Sequence, residues 1–287
     1  MGSSFCLARI ARGAPRCSKV GVVVRVRSSL LIQSYIDAAR HLDLAAYRRG
    51  VTPPELTLSD GRDLFVSYAP FDHIVRKAEL VLVGLTPGRT QAANALEALQ
   101  GQLNAGRDLE GALAAAKSTA SFSGSMRSSL IAMLDLVGVP QKFGRASAAA
   151  FFEAGSPLVH FTSMLRYPVY LAGGANYSGA PAPLSHPVLR KMVETHLAEE
   201  AAALPGAIWV PPGGHAEAGL QHLAQAGRLD PARILTGLPH PSGANAERIA
   251  YFLGRKPRSA LSAKTNPDRI DAARERLQRQ VAALAGR

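Results

Sequence analysis

Two short motifs, far apart in the chain, each sit between a strand-like apolar run and a helix-like stretch. Gly84-Leu85-Thr86-Pro87-Gly88 follows Glu79-Leu80-Val81-Leu82-Val83, and His240-Pro241-Ser242-Gly243-Ala244-Asn245 follows Arg233–Pro239. A strand that enters a helix through a tight Gly/Pro turn is the repeating unit of an open α/β sheet, and such sheets bind ligands at the carboxyl ends of their strands. Both motifs are therefore expected in one cleft.

The rest of the chain reads in the same alternation. Residues 30–48 repeat apolar positions at helical spacing, and Pro53-Pro54 closes that region. Leu64–Tyr68 reads as a short strand. Leu80–Val83 reads as a strand covered on both faces. Helices are expected over 91–103, 108–117 and 125–137. Leu158–Leu165 is the second core strand, and the Gly-, Ala- and Pro-rich stretch 172–187 reads as a long functional or mobile loop. A helix over 188–203, a third strand at 207–210, a helix over 215–226, a fourth strand at 234–238 and a helix over 245–253 follow. Asn266-Pro267-Asp268 then marks the start of a last helix, 267–284. The alternation predicts a three-layer α/β/α fold with a central parallel four-stranded sheet.

The net charge of +12 favours a polyanionic partner, DNA before others. Half of it falls in residues 1–28, which hold six basic residues and no acid. That segment reads as a DNA-contacting or disordered arm, followed by a helical extension over 29–61. The only two cysteines, Cys6 and Cys17, lie in the arm, which points to a reducing, cytoplasmic compartment and excludes a four-cysteine iron–sulfur cluster. No histidine pairing suits a metal, and no apolar run approaches the ~20 residues a membrane helix needs. A monomer without metal, cofactor or membrane contact is expected.

Residues 62–254 resemble the uracil-DNA glycosylase superfamily, whose two active-site loops read like Gly84–Gly88 and His240-Pro241-Ser242. Ser121-Phe122-Ser123-Gly124 is similar to the segment whose aromatic ring stacks on the extruded base, and Val159–Arg166 to the second strand. The resemblance implies a monofunctional DNA glycosylase that flips a base from the stack and hydrolyses its glycosidic bond. It assigns catalysis to His240, which stabilises the departing base, and Thr86, which places water. It assigns the base pocket to Gly84, Leu85, Pro87, Gly88, Phe122 and Ser163. Ser242, Gly243 and Asn245, with Arg255 and Lys256 of the basic segment 255–287, would hold DNA phosphates. The Pro87-Gly88 turn, free of a Cβ at the glycine, would bring backbone amides up to an oxygen.

Three positions depart from the family pattern. Thr86 replaces an Asp or Asn and can orient water without acting as a base. Ser163 replaces an Asn that pairs with the uracil edge. Gly88 leaves space where strict uracil enzymes place an aromatic ring. Together they favour a damaged or modified pyrimidine, as in repair or in foreign DNA. Two other readings remain: a non-catalytic reader of unusual bases, and a small-molecule nucleotide enzyme on a similar sheet.

Overall fold

The structure is a computed structural model that describes residues 33–153 and 155–284, so the basic arm and both cysteines lie outside the described residues. Helical residues 33–40 (α1) and α2 (Leu44–Arg48) come first. Next come the strands β1 (Thr57–Asp60), β2 (Leu64–Ser67) and β3 (Leu80–Gly84). The helices α3 (Arg89–Asn104), α4 (Leu109–Ala120) and α5 (Ser125–Leu136) lead to β4 (Val159–Ser163) and β5 (Val169–Leu171). A π turn, Val193–Leu197, joins α6 (Pro187–Met192) to α7 (Ala198–Ala203). Strand β6 (Ile208–Val210) and helices α8 (Gly214–Gln225), α9 (Ala246–Phe252) and α10 (Pro267–Ala283) complete the order.

Strands β4, β3 and β6 form a parallel sheet in that spatial order, with Gly84 opposite Ser163 and Leu80 opposite both Val159 and Ile208. Side chains alternate across it with a period of two. Leu80, Leu82, Phe161 and Val210 pack with α5, α9 and α10, whereas Val81, Val83 and Trp209 pack with α3, α4 and α8. Both faces are thus covered, which is why these strands read as continuous apolar runs. Each fully buried leucine among them contributes ~1.5–3 kcal/mol.

The expected fourth strand is reduced to one parallel bridge between Ile234 and Trp209, with Leu235 N–H donating to the Trp209 carbonyl at 2.8 Å. Gly237 at φ +115° turns the chain out of extended conformation before a ladder can grow. On the outer side, the Gln280 carboxamide of α10 accepts from Thr236 N–H and donates to the Ile234 carbonyl, capping the edge.

Two further expectations are corrected. The helix expected over 30–48 breaks at residues 41–43, where Asp43 leaves helical geometry to cap α2 by accepting from Ala46 N–H. A second, antiparallel sheet, β1-β2-β5, stands beside the parallel one. It takes β1 from the stretch read as a helical extension, and β5 forms from three residues immediately before the long loop. The cap of α10 is as expected: the Asn266 side chain accepts from Arg269 N–H, and Pro267 opens the helix. Among the described residues no helix is long and apolar enough to cross a membrane.

Candidate active site

The parallel sheet brings both motifs to one place. Gly84, Leu85, Thr86 and Pro87 from the end of β3, Ser163 from the end of β4, Phe122 from the turn before α5 and His240 line a single cavity of about 90 Å³ at the strands' carboxyl ends. At the ~30 Å³ that each water takes in the liquid, that is room for about three waters, the scale of one small ring. Gly84 leaves room on this wall: a Cβ there would lie 3.3 Å from Ser163 Oγ, which would have to give by a few tenths of an ångström, and in ordinary contact with Phe122 Cζ at 3.7 Å.

Phe122 alone among the described non-glycine residues has a positive φ, 47°. That conformation costs ~1–3 kcal/mol and persists only where its surroundings enforce it. Ser121 next to it is pinned on both sides, its hydroxyl donating to the Lys117 carbonyl and its own carbonyl accepting from Arg127. The strained turn places the ring on the cavity wall, 6.1 Å from Phe161 between centroids. Phe122 is also buried in the core cluster with Leu82, Leu130 and Phe161.

His240 is fixed from behind and from one side. Its Nδ1 accepts from Ser242 N–H at 3.3 Å. Burial, with His215 nearby, holds its pKa below the ordinary histidine value, so the ring is neutral at pH 7 and carries its proton on Nε2. Gly213, at φ +96°, backs the ring: a Cβ there would sit 2.9 Å from His240 Cβ. His240 thus offers one N–H donor at the cavity.

Other expected site residues take different places. The Thr86 hydroxyl donates to the Tyr167 carbonyl and accepts from Val169 N–H, which binds the first motif to β5 and leaves one lone pair. Its hydroxyl proton is committed, so it can accept from a water but cannot polarise one. Gly88 does not line the cavity: the space beside it holds the Asn176 carboxamide, 3.6 Å from where a Cβ would be. The two amides at this turn are taken, Gly88 N–H by Gln91 and Arg89 N–H by Asn176. Ser242 accepts from the Asn245 side chain just beyond His240, and Gly243 is exposed. Arg255 is exposed, whereas Lys256 is held 2.7 Å from Glu247, which also anchors Ser262 and Thr265.

The sequence reading missed a buried charged cluster on the same cavity. Lys117 of α4 and Arg166, just past β4, both line it. Behind them lies Glu200 of α7, fully buried. Its Oε1 accepts from Arg166 Nε at 3.1 Å, lies 3.0 Å from Arg166 Nη2 and 3.6 Å from Lys117 Nζ, and its Oε2 lies 3.6 Å from His160 Nε2. Burial would raise the Glu200 pKa, but Lys117, the His160 contact and Arg166 together overcome it and hold the carboxylate well below its usual range. For Lys117 burial wins, lowering its pKa to about 8, and for His160 burial and the nearby Lys117 lower it to about 4. One signal was legible: Lys117 shares the buried face of an otherwise alanine-rich helix with Ala116 and Ala120. Among the described residues no group of three or more His, Cys, Asp or Glu could hold a metal.

In comparison with curated proteins, the chain is 38% identical over 202 residues to the uncharacterized protein YoxB of Bacillus subtilis (strain 168), a match that covers 69% of this chain and 78% of the relative. No family model matches the chain and no solved structure matches it.

Proposed function

Since the chain belongs to the family of YoxB, whose name carries no activity, its function is read from the cavity, and we propose that it is a DNA glycosylase on a uracil-DNA glycosylase-like fold. The observation that carries the reading is the convergence of Gly84–Pro87, Phe122, Ser163 and His240 on one small cavity. In finer detail, the fold would be the three-layer α/β/α arrangement, with residues 234–238 as a fourth strand shortened to its bridge. The protein would act as a cytoplasmic monomer on DNA, which its +12 charge favours.

A flipped pyrimidine, damaged or modified, enters the cavity and stacks on Phe122, a contact worth ~1–3 kcal/mol. Ser163 meets its edge. The bond between C1′ and the base nitrogen breaks with its electron pair going to the base. His240 Nε2–H donates to the base oxygen on which negative charge grows. Water adds to C1′ and loses a proton to solvent, leaving an abasic sugar. Preorganised donors of this kind are often the largest catalytic term. Thr86 keeps the first motif in place through β5 and accepts from the attacking water.

One observation favours a second reading, a non-catalytic reader of unusual bases. Among the described residues no Asp or Glu lines the cavity, and the Thr86 proton is committed elsewhere. The deciding experiment incubates the protein with oligonucleotides carrying uracil or modified pyrimidines and assays abasic sites. His240→Ala should slow cleavage on the order of 10²–10³-fold with DNA binding largely kept. Cleavage by His240→Ala at the wild-type rate removes the catalytic assignment. Tight binding by wild type with no abasic product selects the reader.

A further inference from the structure

We propose that the cavity carries a second activity: Lys117 attacks the aldehyde of the abasic sugar left by base release, holds it as an imine, and so opens the strand as a lyase. The inference rests on the glycosylase reading for its substrate and adds a step after it.

The position of Lys117 is that of a nucleophile. It projects from the buried face of α4, beside Ala116 and Ala120, and lines the cavity with its side chain only 4% exposed. Its Nζ donates to the His73 carbonyl at 2.8 Å and pairs with Glu200 Oε1 at 3.6 Å. A neutral amine has two N–H donors and one lone pair. The two oxygens match the two donors, and neither can take the lone pair, which is left for an electrophilic carbon. Arg166 Nη2 lies 3.0 Å from the same Glu200 oxygen, so a second cation stands beside the amine. Burial, with Arg166 nearby, lowers the Lys117 pKa to about 8 against the pull of Glu200 and Asp72. About one amine in ten is then neutral at pH 7. Desolvation and a neighbouring cation are the means by which a lysine is made ready to attack a carbonyl.

The ion pair also suits the product. An iminium carries the charge of the ammonium it replaces, so Glu200, held ionised, faces the same charge before and after capture. Thr162 Oγ1, on the same wall, is buried without a hydrogen-bond partner among the described residues and can hold the oxygen that leaves C1′. Once the base has left, the cavity of about 90 Å³ has room for an open-chain sugar aldehyde, which is on the scale of the ring that departed.

The Lys117 lone pair forms the bond to C1′, and the carbonyl pair moves to oxygen. One proton passes from nitrogen to that oxygen, and a second, from solvent, lets it leave as water. The C1′ iminium then acidifies C2′. The C2′ proton goes to water, a C2′–C3′ double bond forms, and the C3′–O bond breaks with its pair going to the 3′-phosphate. Water hydrolyses the iminium and returns the amine.

The test incubates the full chain with an oligonucleotide carrying one preformed abasic site and sodium cyanoborohydride, which reduces an iminium in preference to an aldehyde. Wild type should be captured on the DNA as a secondary amine, and peptide mass mapping should place the adduct on Lys117. Without the reductant, the strand should be cut on the 3′ side of the abasic site. Folded Lys117→Met should lose both adduct and cut. No adduct with wild type, an adduct on another amine, or an adduct on DNA that is never cut overturns the proposal, even if Lys117→Met does not fold. A cut that persists in folded Lys117→Met also overturns it. The abasic site is supplied ready-made, so the result does not depend on base removal. Abasic sites formed from modified bases without any adduct keep the glycosylase reading and reject the inference. An adduct on Lys117 and a cut, with no base removed from any oligonucleotide, uphold the inference and reject the glycosylase reading.

Discussion

Replacing Glu200 with glutamine tests whether the charged wall of the cavity is organised as described. The side chain is fully buried, and its Oε1 serves Arg166 twice at about hydrogen-bond distance and Lys117 at 3.6 Å. Glutamine keeps the shape and one acceptor oxygen but removes the charge, leaving Arg166 the exposed Glu199 and both buried cations the attraction of Asp72. Breaking a buried pair from one side costs ~3–5 kcal/mol, because the partner is left uncompensated. The lower end is expected here. Lys117, already lowered to about 8, can shed its proton at neutral pH and relieve part of the cost. With an m-value of about 2–3 kcal/mol/M in urea, the midpoint should fall by roughly 1–2 M. Lys117→Met in the Glu200→Gln background should recover part of the loss, since one orphaned cation is gone, and the double-mutant cycle should show clear coupling. Urea unfolding followed by circular dichroism gives all three values. A midpoint shift below about 0.3 M, under ~1 kcal/mol by the same slope, or strict additivity in the cycle would refute this account.

Two further outcomes are expected. Gly213→Ala forces a side chain into a left-handed position 2.9 Å from His240 Cβ, so it should displace the imidazole and cut cleavage about 100-fold, whereas Gly214→Ala, with open space around it, should cleave normally; equal rates for the two variants would show that His240 is not held from behind. His160 has a folded pKa of about 4 against an unfolded value near 6.5, so its contribution to stability is complete above pH 6.5 and is lost as pH falls towards 4. Urea titrations at pH 6.5 and 5 should therefore show wild type losing ~2 kcal/mol more than His160→Gln, while parallel losses would mean that His160 takes up its proton at an ordinary pH in the folded protein.

The parts of the fold visible in the sequence are those whose signal is local. Leu80–Gly84 reads as a strand because burial on both faces leaves no polar position. The start of α10 reads directly from Asn266-Pro267, since a cap is made by neighbours. The meeting of the two motifs was also legible, because each marks the carboxyl end of a strand in one sheet. The antiparallel sheet was not. Thr57–Asp60 and Val169–Leu171 are too short and mixed to show a period, and their pairing through β2 is set by tertiary contact. The anchoring of Thr86 was not legible for the same reason: its partners, Tyr167 and Val169, reach it only once β5 is in place. The space beside Gly88 looked open in sequence because Asn176, which fills it, comes from the distant loop.

On the glycosylase reading, the missing carboxylate decides what kind of catalyst this cavity would be. Among the described residues no Asp or Glu lines it, and the Thr86 hydroxyl has spent its proton on a backbone carbonyl. No carboxylate on the wall can therefore pull a proton from water early enough to drive attack on an intact glycosidic bond. What the wall does hold are donors and cations: His240 Nε2–H on one side, and Lys117 and Arg166 on the other. Groups of that sign stabilise a base leaving with its electron pair, and their effect grows as charge builds on the base. A glycosylase built on this wall would have to break the bond largely before water arrives, so that water meets an electron-poor C1′ that needs no general base. In such a site, loss of a donor to the base costs far more rate than loss of a group near the water. The lack of a base is thus compatible with hydrolysis, provided that the leaving base can carry negative charge.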